Sequence, residues 1–231
     1  MSKEQIKEYM NLSKAITIMD KGLLYYAGFG AGILYLVGDL VGGFITPNYN
    51  YIKNAVSELI QSGAEYRVLL SSFLFLHALM IILFSIGLLT EHPYKQSKLI
   101  FIGGILLLAV GISHALSSSI FPQDPVGAES TFPGVMHLIL VGITVVSIFV
   151  LMPLIGVGVY QLYGWKHFVI FTFLCLAVII ISGVSSPIVI SKGIEVMGLT
   201  ERITGYSFYI WMFVLAYLLI KEQSAQILPD F

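Results

Sequence analysis

The chain has little charge and almost no cysteine, and each scarcity excludes something. Only 11% of its 231 residues are Asp, Glu, Lys or Arg, whereas 57% are hydrophobic. A soluble domain carries about 25% charged residues. This chain could not cover itself in water, so lipid is its solvent and membrane lipids are its first partners. Twelve basic residues against thirteen acidic ones leave a formal net charge of −1, which offers no basic surface for nucleic acid. A single cysteine, Cys175, rules out a disulfide framework within the chain and argues against a cysteine-based metal site. There is no HExxH motif, no nucleophile elbow and no internal repeat. The first twenty residues, MSKEQIKEYMNLSKAITIMD, hold four charged residues before position 9 and no apolar leader core, so the first apolar run reads as a retained helix.

What is present is a series of apolar runs. A membrane-spanning helix needs about 20 apolar residues, and six runs qualify: Leu23–Ile45, Val68–Leu89, Leu99–Phe121, Val135–Tyr160, Phe168–Ile190 and Met197–Ile220. None alternates strictly, which excludes a transmembrane barrel. The expected fold is all-α, a six-helix transmembrane bundle over residues 23–220. It lies between an N-terminal segment, 1–22, that can form an interfacial helix, and a short polar tail, 221–231. After the first helix, Ile52, Val56, Leu59 and Ile60 recur at helical spacing, so a short outer helix is expected on the membrane surface. Eight of the twelve basic residues flank one side (Lys3, Lys7, Lys14, Lys21, Lys95, Lys98, Lys166, Lys221) and four the other (Lys53, Arg67, Lys192, Arg202). The richer side is cytoplasmic by the positive-inside rule. Both termini are then inside, in a prokaryotic plasma membrane.

Polar residues in these runs gather at the outer ends. Asp39 lies six residues from the end of its run, about 9 Å deep at 1.5 Å per residue. His114 is seven residues from the end of the third run, about 10 Å deep on the same rise. Ser117 and Ser118 share its helical face, and His137 opens the fourth helix. Ser57 and Glu58 come from the first loop, Asp124 and Glu129 from the third, and Glu201 and Arg202 from the start of the sixth helix. Ionisable groups in spanning segments are costly and point to function by default, although each has a plainer reading. Asp39 can hydrogen-bond a neighbouring helix. Asp124 can cap exposed N–H groups of its Pro-rich loop. Glu201 and Arg202 can form an ion pair at a helix start, or Arg202 can hold a phosphate or carboxylate. His77, near mid-membrane, looks less connected than the others and reads as a packing residue. Its estimated depth differs from that of His114.

Several short motifs occur in a fixed order: Ser57-Glu58-Leu59 after the first helix, Phe121-Pro122-x-Asp124 after the third, His137 opening the fourth, and Gly198-Leu199-x-Glu201-Arg202 opening the sixth. In these the chain resembles the bacterial and archaeal membrane family known as domain of unknown function 998 (DUF998), across about residues 25 to 220. More loosely it is similar to the six-helix Frag/DRAM/Sfk-like membrane proteins. The resemblance implies the six-helix fold and no activity. Ile60-Gln61-Ser62-Gly63 departs from the more glycine-rich turn expected after Ser-Glu-Leu.

Three functional readings follow. In the first, Asp39, Ser57, Glu58, His114, Asp124, His137, Glu201 and Arg202 line an outward-facing polar pocket for a lipid head group or small polar ligand. In the second, the chain is a metal-dependent lipid hydrolase. His114, His137 and a carboxylate, with Asp39 first, would hold a divalent transition metal such as zinc with an open position for water. Glu58 or Asp124 would then act as base, with Ser57 a candidate nucleophile in a metal-free variant. In the third, the polar network only fixes helix packing in an accessory subunit. A central transport site is disfavoured because the inner halves of the helices are apolar.

The orientation is directly testable. In a Cys175→Ala background, Ala128→Cys should react with a membrane-impermeant maleimide in intact cells. Gln96→Cys should react only after lysis. The reverse pattern would invert the topology.

Overall fold

The computed structural model describes residues 3–227, with side chains described from 22 to 225 except at 186, 187, 189 and 190. Six helices run in chain order: α1 Lys3–Ile45, α2 Arg67–Glu91, α3 Lys98–Ser119, α4 Phe132–Tyr163, α5 Lys166–Ser191 and α6 Met197–Ile227. Each is long and apolar enough to cross a membrane, and there is no strand among the described residues. In lipid a helix satisfies its backbone groups internally, so runs of this length settle into helices whatever their side-chain period.

Each helix packs on the next, and α6 returns to α1, so the six close into a ring. α4 meets α5 more sparingly than any other pair of neighbours. The seam between α3 and α4 is close because small residues lie in it: a Cβ on Gly103 would come within 2.4 Å of Ile155. The interior is filled by large side chains, including Phe84, Leu107, Leu151 and Trp211, all fully buried. The indole of Trp211 donates to the Thr172 hydroxyl at 2.9 Å, joining α6 to α5.

Helix ends follow from local sequence. The Ser97 hydroxyl accepts from the Ile100 N–H at the start of α3. The Thr131 hydroxyl caps the Gly134 N–H at the start of α4, and Gly164 closes α4 in the left-handed conformation, as helix caps commonly do. The expected outer helix of the first loop is a single 3₁₀ turn, Val56–Ile60, with Val56, Leu59 and Ile60 buried inward. The backbone of the N-terminal segment is helical from Lys3 and continuous with the first span. Its expected interfacial face rests on side chains outside the described residues, as does the end of the C-terminal tail. At the inner end His92 is only 1% exposed and bonds the Tyr163 hydroxyl at 2.7 Å. Burial pushes its pKa down to about 4. It is a packed residue of the helix ends and not a surface one.

Candidate functional site

The polar residues at the helix ends that meet the first and third loops, expected from the sequence to be the outer ends, form two clusters. The first is built around Arg202. Its guanidinium donates through Nε to Asp39 Oδ2 at 2.9 Å and through Nη2 to Asp39 Oδ1 at 2.7 Å. The pair is bidentate, the strongest geometry for such ions, and both partners are buried. Tyr206 donates its hydroxyl to Asp39 as well. The remaining Arg202 donors go to the carbonyls of Tyr51 (2.7 Å), Asn54 (3.0 Å) and Gly198 (3.1 Å) and to the Tyr49 hydroxyl (2.6 Å). The rings of Tyr49 and Tyr51 lie against the cation, 5.5 and 4.9 Å from their centroids, where cation–π attraction adds to the pairing. Burial pushes the Tyr49 phenol up, so it remains a neutral hydroxyl.

This clamp fastens the first loop to α6. The loop also receives main-chain hydrogen bonds, from the Gly198 N–H to Lys53 O at 3.2 Å and from the Leu199 N–H to Ile52 O at 3.0 Å. Gly198 is required by the close approach. A Cβ there would lie 2.2 Å from the Asn54 oxygen and 2.7 Å from the guanidinium. Glu58 turns back on its own loop, accepting from the Ala55 N–H and the Asn54 amide, both at 2.8 Å. Glu201 does not pair with Arg202. It accepts from the Val56 N–H at 2.8 Å. With its donors committed to Asp39, Tyr49 and three carbonyls, Arg202 has none to offer a phosphate.

Asp124 takes the capping role. It accepts from the Thr131 N–H at 2.8 Å and the Thr131 hydroxyl at 2.7 Å. The N–H bond, seconded by the hydroxyl, holds its pKa below the ordinary carboxylate value. Gly134 is required beneath it, since a Cβ there would fall 1.8 Å from the carboxylate.

The second cluster surrounds a cavity of about 690 Å³ inside the ring. His114, Ser117 and Ser118 of α3, His137 of α4, Ser57 of the first loop and Glu201 of α6 supply its polar wall. From α4 the lining then runs inward through Val141, Thr144 and Val145 to Ile148. His137 binds the Phe121 carbonyl through Nδ1 at 2.9 Å, which fixes the third loop over the α3 and α4 ends.

Behind His114 stands His77. Its Nδ1 lies 2.8 Å from the Ala31 carbonyl, and its Nε2 lies 3.3 Å from His114 Nδ1 and 3.1 Å from the Tyr209 hydroxyl. His77 is fully buried. The expectation that it is poorly connected and at another depth from His114 is corrected here: the two rings are 5.4 Å apart. Counted back from the inner ends of their helices at Glu91 and Lys98, His77 is fourteen residues out (91 − 77) and His114 sixteen (114 − 98). That is a difference of about 3 Å at 1.5 Å per residue. Counting from the turn between α2 and α3 would have placed the two at nearly the same depth. Tyr209, hidden among the aromatics of α6, carries no such signal.

The eight residues singled out from the sequence therefore divide. Ser57, His114, His137 and Glu201 line the cavity. Asp39 and Arg202 form the clamp, and Glu58 and Asp124 cap local turns. No group of three His, Cys, Asp or Glu side chains that could hold a metal ion occurs among the described residues. Asp39, the preferred carboxylate of the zinc set, is bound to Arg202 and Tyr206 instead of joining His114 and His137.

Residues 29–218 match the family described as "Protein of unknown function (DUF998)". No curated protein and no solved structure matches the chain.

Breaking the clamp should be far costlier than replacing it. Asp39→Leu and Arg202→Met, each leaving a buried charge unpaired, should each lose about 3–5 kcal/mol. Thermal unfolding in detergent should show the double substitution losing much less than the sum. Strictly additive losses would mean that the two side chains do not act as a pair.

Proposed function

Because the chain belongs to the DUF998 family, whose description carries no activity, we propose a function from geometry alone: it binds an amphiphile of the bilayer inside the helix ring. The observation that carries this reading is the shape of the cavity. Its volume is within the roughly 300–1,000 Å³ usual for small-molecule sites. Its histidines, serines and Glu201 stand at one end, and the lining beyond them is mostly apolar, broken by the hydroxyls of Tyr35, Thr144 and Tyr209. Along α4, the eleven residues from His137 to Ile148 (148 − 137) amount to about 16 Å, enough to place a head group beside His114 and His137 with a hydrocarbon chain below.

Entry is lateral, between α4 and α5. Leu138, Val141 and Val145 line the cavity and keep 66%, 43% and 37% of their surface exposed. Opposite them Gly183 contributes no side chain, and a Cβ there would meet nothing within 4 Å. A lipid could slide through this gap without leaving the hydrocarbon. Among the described residues the metal-dependent hydrolase has no three-ligand group to stand on. The packing-only reading accounts for the Asp39–Arg202 clamp and leaves a partly polar cavity with no purpose.

Gly183→Phe should plug the entrance and leave the ring intact. Native mass spectrometry of the wild type released from mild detergent should show retained lipid adducts. The plugged variant, with unchanged melting temperature, should have lost them. Equal retention by both proteins, or none by the wild type, would contradict the proposal.

A further inference from the structure

The cavity wall is rich in hydrogen-bond acceptors and has no cation, and this narrows what it takes. The first acceptor follows from tautomers. The Ala31 carbonyl can only accept, so His77 Nδ1 carries the proton facing it at 2.8 Å. In a neutral ring His77 Nε2 is then a bare lone pair. It receives the Tyr209 hydroxyl at 3.1 Å and faces His114 Nδ1 at 3.3 Å. An unprotonated His114 Nδ1 would set lone pair against lone pair, so that nitrogen carries the second proton. The proton of a neutral His114 is thereby spent inward. Its Nε2 has no protein partner among the described residues and is left to the cavity as an acceptor.

The serines add to the same polarity. Ser117 donates to the His114 carbonyl and Ser118 to the Ala115 carbonyl, each at 3.2 Å. Hydroxyls that donate to their own helix turn only lone pairs outward. Glu201 brings a carboxyl group whose Oε2 accepts from the Val56 N–H. Gln123, Ser57, Tyr35 and Thr144 supply neutral donors. There is no Lys or Arg among the lining residues described, and the nearest guanidinium, that of Arg202, is spent on Asp39.

Such a wall offers an anionic head no counter-ion. A phosphate brought into this low-dielectric site would lose its hydration with no Lys or Arg to offset it. A hydroxyl suits it, because a hydroxyl supplies the proton that His114 Nε2, Ser117 and Ser118 lack. We infer that the cavity selects an uncharged, hydroxyl-headed amphiphile, a diacylglycerol or long-chain alcohol, whose O–H is received by His114 with His77 as its positioning residue. The inference rests on the amphiphile-binding reading and sharpens it.

The test compares ligands on the unaltered protein, so no folding defect can intervene. The purified full chain, in detergent, is titrated with dioctanoylglycerol and with its phosphate ester, dioctanoyl phosphatidic acid, and binding is read by native mass spectrometry. Gly183→Phe serves as the plugged control. The expected result is that dioctanoylglycerol binds at least about tenfold tighter, the worth of one buried hydrogen bond, and that the plug abolishes its binding. His114→Phe, which keeps a flat ring and removes the acceptor, should weaken dioctanoylglycerol binding and so reduce the preference between the two lipids. Equal or tighter binding of phosphatidic acid, still abolished by the plug, would overturn the head-group assignment and leave the amphiphile cavity standing. Binding of both lipids that ignores the plug, or no binding of either, would overturn the cavity reading and the assignment with it.

Discussion

The interaction on which the outer half of this protein depends is the buried pair of Asp39 and Arg202. A carboxylate in a spanning segment is expensive, and so is a guanidinium there. Together they form a bidentate bridge that leaves neither ion bare. The remaining donors of Arg202 reach three carbonyls and a tyrosine hydroxyl, so one side chain holds α1, the first loop and α6 at once. Replacing a buried pair by apolar groups is often harmless to stability, whereas breaking one is not. What the pair contributes here is position: it fixes the first loop against the start of α6, the point where the ring closes.

That closure determines where the ring can open. α1 and α6 are locked at their outer ends by the clamp, and α3 and α4 by close glycine contacts. His137 and Asp124 fasten the third loop, the one through Phe121 and the other through Thr131. α4 and α5 approach closely at Gly156 and Thr172, but over the described residues theirs is the sparsest seam of any neighbouring pair. The cavity lies beside that seam, and its polar wall is held by atoms that do not have to move. Val56, which the 3₁₀ turn buries, also orients Glu201 through its N–H. The clamp thus shapes the cavity without lining it: it sets the loop that sets the carboxylate.

Much of the fold was legible in the sequence, because six apolar runs of spanning length admit one kind of secondary structure in lipid. The polar clustering at the outer ends was legible too, since depth along a helix can be counted. Which polar residues meet was not, because azimuth cannot be counted from one sequence. Arg202 and Glu201 are adjacent in the chain and invite pairing, yet adjacent residues on a helix point about 100° apart. One faces Asp39 across the ring closure and the other the cavity. Asp39 and Arg202 are six and five residues from the ends of their helices (45 − 39 and 202 − 197), so counting could place them at nearly the same depth, as it could His77 and His114, without showing that either pair meets. The turn role of Asp124 was readable from its Pro-rich loop. The part of Tyr209 was not, because a tyrosine among aromatics looks like packing until its hydroxyl finds a histidine.

The central claim is that the ring holds a bilayer amphiphile, entered between α4 and α5 and anchored at His114. The most direct measurement is an experimental density map of the protein in lipid nanodiscs, with an antibody fragment bound to give the particle sufficient size. The account predicts elongated density lying between α4 and α5, with its polar end within hydrogen-bonding distance of His114. A map in which α4 closes onto α5 along its length, with the cavity filled by rearranged side chains, would contradict it.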